Sequence, residues 1–159
     1  MSGPYIDQPK PVSSVTIWSQ YTTQIVITAG AGDKALNPIT IAGLPANAIV
    51  QRALVYVKFR TMENINVAAN SLSGAQNFQV AKAVGGTYIT GIAFLGGELA
   101  AMAISGQVSG DVIMGTNDVK AQVPFNGLVM TAKFTSAVAA VASINLNDIQ
   151  WGIQVWFIL

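Results

Sequence analysis

The chain ends on its most regular stretch. Ile149, Trp151, Ile153, Val155, Phe157 and Leu159 alternate with Gln150, Gly152, Gln154, Trp156 and Ile158. Residues two apart share a face on a β-strand, so the spacing predicts a strand with one wholly apolar side. A strand this apolar has to be covered, because a bare one invites pairing at its edge. Two coverings fit the residues. The strand closes the chain's own sandwich, or it also packs on a neighbour through Trp156 and Ile158 of its second face.

Shorter runs with the same period precede it. Residues 12–28 carry Val15, Ile17, Tyr21, Thr23, Ile25 and Ile27 on one parity, and residues 36–41 form another short candidate. In residues 49–61 the odd positions read Gln51, Ala53, Val55, Val57 and Phe59, and the even positions Arg52, Leu54, Tyr56, Lys58 and Arg60. That is one apolar face and one mixed face. The Asn/Ser-rich residues 61–74 read as a long surface loop. Gly85-Gly86 between two β runs predicts a hairpin. After Gly96-Gly97, ELAAMAIS reads as a strand or one helical turn, and residues 111–115 and 118–123 read as further β runs. Pro124 restricts the latter to an edge or strand end. Asn126-Gly127 predicts a turn joining it to LVMTAKF, and residues 136–143 suit a short helix or a strand. With eight to ten short strands and no long helix, the expected fold is an all-β, single-domain β-sandwich of jelly-roll or Greek-key type.

Length fits one domain, read as residues 12–159 behind a Pro-rich extended arm, residues 1–11, carrying Pro4, Pro9 and Pro11. The chain has no Cys and no His. That excludes disulfides, thiolate- or His-ligated metals, and Ser-His-Asp or Cys-His catalysis in cis. Charged residues make up 9% of the chain, 8 basic against 7 acidic, where an average domain carries about 25%. A folded monomer of this mass exposes roughly 7,600 Å², or about one charge per 500 Å². Interface cores are depleted in charge, so much of the surface is expected to be covered by other subunits. A small neutral monomer covered in Asn, Gln, Ser and Thr is the alternative. The near-neutral balance predicts no nucleic-acid partner. The most apolar stretch, residues 91–106, is broken by Gly96-Gly97 and Glu98, short of the ~18 residues a spanning helix needs. No membrane partner is expected. The start, MSGPYIDQPK, lacks the pattern of a signal peptide.

Few residues propose chemistry. Gly30-Ala31-Gly32-Asp33-Lys34-Ala35 matches G-x-G-x-x-A, but Pro38 lies where the required helix would run, and no acid follows at the ribose-binding distance. It reads as a Gly-rich loop, and no cofactor is expected. Arg52, Lys58 and Arg60 flank Tyr56 as a polar strand face or a weak single-strand platform. The seven carboxylates, Asp7, Asp33, Glu63, Glu98, Asp111, Asp118 and Asp148, form no close cluster. Asn117-Asp118, or Asn145 with Asn147-Asp148, offers oxygens to Ca²⁺, yet Asx residues beside strands also make turns. No metal is expected.

The stretches SLSGAQNFQVAKAVGGTYITGI, GDVIMGTNDVKAQV and LNDIQWGIQVWF resemble small β-sandwich virion proteins of tailed phages, of the decoration or minor structural type. The resemblance covers most of the chain after Pro11 and transfers no catalytic or binding residue. It implies a jelly-roll fold and a place on a capsid or other assembly. The expectation is a non-enzymatic assembly subunit, made in the cytoplasm without a signal peptide and used in a virion or other extracellular assembly. It would form a homo-oligomer, trimer or higher, together with other virion subunits. Its contacts would lie at Pro4, Pro9, Pro11, the 61–74 loop, Trp156 and Ile158. The alternative is a carbohydrate- or receptor-binding module that stacks ligand on Trp18, Tyr88 or Trp156. An enzyme using carboxylates alone is the third reading.

Overall fold

The computed structural model describes residues 9–27, 32–58, 61–64, 76–94, 112–136 and 144–159. The ELAAMAIS segment, residues 137–143, most of the 61–74 loop and residues 1–8 of the arm, with Pro4, lie outside the described residues. Among the described residues ten strands run in chain order: β1 (Ser13–Trp18), β2 (Thr22–Ile27), β3 (Gly32–Thr40), β4 (Ile49–Lys58), β5 (Thr61–Asn64), β6 (Gln76–Lys82), β7 (Ile89–Phe94), β8 (Ile113–Met114), β9 (Val129–Ser136) and β10 (Ile144–Ile158). A 3-10 turn covers Lys120–Gln122. No helix among the described residues is long and apolar enough to cross a membrane.

One sheet has the order β1–β10–β4–β8, with β2 and β5 paired to the first part of β10. The second has the order β3–β9–β6–β7, and every pairing is antiparallel. β2 follows β1 along one side of β10, and β5 follows β4 along the other. Counted as ribbons, the first sheet therefore holds the first, eighth, third and sixth. The second holds the second, seventh, fourth and fifth. That interleaving is a jelly roll, two Greek keys wrapped into one sandwich.

The core lies between the sheets. Val55, Val57, Trp151 and Ile153 of the first sheet meet Phe78, Val80, Ala132 and Phe134 of the second, all buried. The Phe78 and Trp151 rings lie 5.8 Å apart in a tilted pair. Trp151 can be buried whole because its indole N–H donates to the Asn37 carbonyl at 2.7 Å. The odd residues of the closing strand from Ile149 to Phe157 face the core as their period predicts, whereas Leu159, past the end of the strand, is exposed. The period breaks upstream: Leu146 and Ile149 are both buried though three apart, and Asp148 between them has φ 48°. Asp tolerates this left-handed backbone better than most residues.

Four expectations are corrected. Residues 118–123 are no strand: Asp118 Oδ1 accepts the Lys120 N–H at 2.9 Å and the chain closes a 3-10 turn. Consequently Asn126-Gly127 is a turn, with Gly127 at φ 84°, but it joins no hairpin, and β9 pairs with β3 and β6 instead. The Gly-rich match is extended rather than looped from Gly32 onward, and Pro38 sits in a bulge between Leu36 and Ile39. Residues 61–64 continue along β10 as β5 rather than entering a loop. The hairpin at Gly85-Gly86 is present as β6–β7.

Candidate assembly surfaces

One end of the sandwich is apolar. The β3–β4 loop, the β6–β7 loop and the segment before β9 meet there around a crevice of about 990 Å³. Backbone hydrogen bonds fix its floor: Ile41 N–H to Leu128 O at 2.9 Å and Gly127 N–H to Ile41 O at 2.7 Å. Asn126 Oδ1 accepts the Leu44 N–H at 3.2 Å. This pinning leaves Phe125 at the tip, 80% exposed, facing Val84, 89% exposed, with Leu128 and Val129 also exposed. Lys82 is the charged side chain in the lining. The apolar character continues onto the first sheet. Ile49 is exposed, is the register partner of Ile158, and precedes Val50 of the crevice wall.

The outer face of the first sheet carries the residues singled out from the sequence. Trp18, Gly152 and Tyr56 form one cross-strand row. A Cβ at Gly152 would come within 2.7 Å of the Trp18 ring, so glycine there lets the indole lie across β10. Trp18 thereby reaches Tyr56, ring centroids 6.1 Å apart. Lys58 Nζ stands 4.9 Å from the Trp18 ring and 5.5 Å from that of Tyr21. In the next row the Tyr56 hydroxyl donates to Gln154 Oε1 at 2.6 Å. Beyond it Arg52 lies over the half-buried Trp156 at 5.7 Å. The cations thus spread over aromatic rings along the sheet. Leu54, between Arg52 and Tyr56 on this outward side, is only 3% exposed. Ile158 is half-buried, and Pro9 and Pro11 are exposed ahead of β1.

The second sheet's outer face is polar and tied across. Lys133 Nζ contacts Asp33 Oδ2 at 2.6 Å and stands 4.4 Å from the Tyr88 ring. The Thr135 hydroxyl donates to Asp33 Oδ1 at 2.8 Å. The hydrogen bond from Lys133, then that from Thr135, holds the Asp33 carboxyl below its ordinary range. Tyr88 and Trp18, the two stacking candidates, therefore each carry a lysine ammonium against the ring.

Three of the Asx residues considered as Ca²⁺ ligands, Asn117, Asp118 and Asn147, serve the chain itself. Asp118 Oδ1 also accepts the Ala53 N–H at 3.0 Å, and Asn117 Nδ2 donates to Thr90 O at 3.0 Å. Asn147 Oδ1 accepts Gln24 Nε2 at 2.8 Å. The side chains of Asp7, Glu63, Glu98 and Asp111 lie outside the described residues, as does that of Arg60. Sequence reasoning missed the apolar end. Its signal was present as apolar residues at turn positions, Val84 before Gly85-Gly86 and Phe125 before Asn126-Gly127.

No family model matches the chain, and no curated protein matches it. A solved structure titled Desmodium yellow mottle tymovirus is similar over 100% of this chain and 94% of that one, at 12% identity and a TM-score of 0.27. At that score the likeness carries no argument about fold or function. The jelly-roll assignment rests on the strand order.

Proposed function

We propose that the chain is a non-enzymatic structural subunit that assembles with copies of itself, of the kind from which virions and their decorations are built. The observation that carries this reading is the apolar end. Phe125, Val84, Leu128 and Val129 form an exposed apolar rim around a crevice with one charged liner. Monomers rarely present such patches in water, and a partner surface removes them. The low charge count supports the same reading, and the jelly roll is a fold used by capsid domains. Two of the described carboxylates, Asp33 and Asp118, are engaged in cross-strand and turn contacts. That agrees with a structural rather than a catalytic use.

Light scattering and sedimentation at micromolar concentration test the proposal. The wild-type chain is expected to run as a closed oligomer. Phe125→Asp, alone or with Val84→Asp, is expected to shift it to a smaller species while thermal unfolding barely moves, since exposed substitutions change stability by about 0.5 kcal/mol or less. A wild-type chain that stays monomeric, alone and in the presence of its particle, would overturn the proposal. The carbohydrate-binding alternative stands second, because a sugar stacking on Trp18 or Tyr88 competes with Lys58 or Lys133 for the ring.

A further inference from the structure

Among the described residues the sandwich has four sheet edges, and three of them are tied, short or blunted. At β7, Asn117 Nδ2 donates to the Thr90 carbonyl, and Gly115 sits so close that a Cβ on it would be 2.7 Å from Gly91 O. β8 is two residues long, and β5, further along that side of the sheet, is four. β3 carries Asp33, Lys34 and a Pro38 bulge, features that blunt an edge. On the remaining side, β2 is met at its start by Asn37, which donates through its N–H to Thr22 Oγ1 and through Nδ2 to Tyr21 O. β1 has β10 on one side and, among the described residues, no strand on the other.

We propose that β1 pairs antiparallel with β1 of a second copy, joining the two β1-edged sheets across a two-fold axis. Three observations on this strand point to that occupant. Residues 12–27 contain no charge, no proline and no glycine, so the edge lacks the devices that keep strands apart. Val15 and Ile17 face the core yet remain half-buried, while their partners Val155 and Ile153 are fully buried. A strand added outside β1 covers that gap. The pattern is also self-complementary. Opposed residues in an antiparallel pair share a face, so the axis falls on a residue. Centred on Thr16, it sets Val15 against the partner's Ile17 and Ser14 against the partner's Trp18. A charged edge would face its own charge across such an axis, and here there is none to repel.

The inference rests on the self-assembly reading but uses a surface other than the crevice, so the two fail separately. The chain has no cysteine, so Thr16→Cys supplies a single thiol at the axis. Mild oxidation is expected to give a covalent dimer with Thr16→Cys and none with Thr135→Cys on the other sheet's outer face. Thr16→Lys, at an exposed position, is expected to weaken self-association at least tenfold while circular dichroism and melting stay as in the wild type. An oligomer that persists unchanged in Thr16→Lys, with no Thr16→Cys cross-link above the control, overturns the edge pairing and leaves assembly through the apolar end standing. A wild-type monomer overturns both.

Discussion

Gly152 shows how one missing side chain organises a face. With no Cβ, it lets Trp18 cross β10 and reach Tyr56 and Lys58. Gly152→Ala is expected to push the indole off the sheet, red-shift its fluorescence and expose more of Tyr56, a change visible in the emission spectrum. Asp118 replaces a strand. Where β8 stops, its carboxylate accepts the N–H groups of Ala53 and Lys120, completing hydrogen bonds that a longer neighbour would have made. Asp118→Ala is expected to cost about 1–3 kcal/mol in denaturant unfolding, because the Ala53 N–H is left without its acceptor. Asp33 sets a small pH dependence. Its carboxyl lies below the unfolded value of about 3.9. The folded state thus binds fewer protons, and the contribution is present above that pH. It fades as acid titrates the folded carboxyl. Asp33→Asn is expected to remove this part of the acid limb in melting curves recorded from pH 6 down to pH 2.

At the scale of elements, β10 decides most of the fold. Its fifteen residues pair with β1, β2, β4 and β5. The alternation from Ile149 to Ile158 was legible because each side chain there obeys the face it lies on. The strand's beginning was not, since the Asp148 backbone shifts the inward positions from Leu146 to Ile149 and spoils the period. The 118–123 run misled for a related reason. Its apolar Val119 is fully buried, as in a strand, but it hangs on a single backbone hydrogen bond to Ala53 O before the chain turns. Leu54 shows the converse. Its parity faces outward between Arg52 and Tyr56, yet it is buried.

At the scale of the whole molecule, scarcity of charge turns into geography. The described cations of the first sheet lie against rings, and Lys133 is paired with Asp33. The loop end and the β1 edge are left without charge except for Lys82 at the crevice. The Phe125→Asp and Thr16→Lys predictions belong to this scale, because each measures an assembly rather than a contact within the chain. Their double variant is expected to be monomeric where either alone leaves a smaller oligomer, if both surfaces close the same particle.

By itself the sequence determined the β class, the inward residues of the regular strands, the turn at Asn126-Gly127 and the exclusion of Cys and His chemistry. Those follow from side-chain identity and a two-residue period, which are local. The tertiary structure decided which strands are neighbours. Ser14 meets Gln154, 140 positions away, and that pairing leaves β1 at an edge. It also decided that Val84 and Phe125, far apart in the chain, share one apolar rim. Pairing depends on complementary faces and closing loops across the whole chain, and a local period carries no record of its partner.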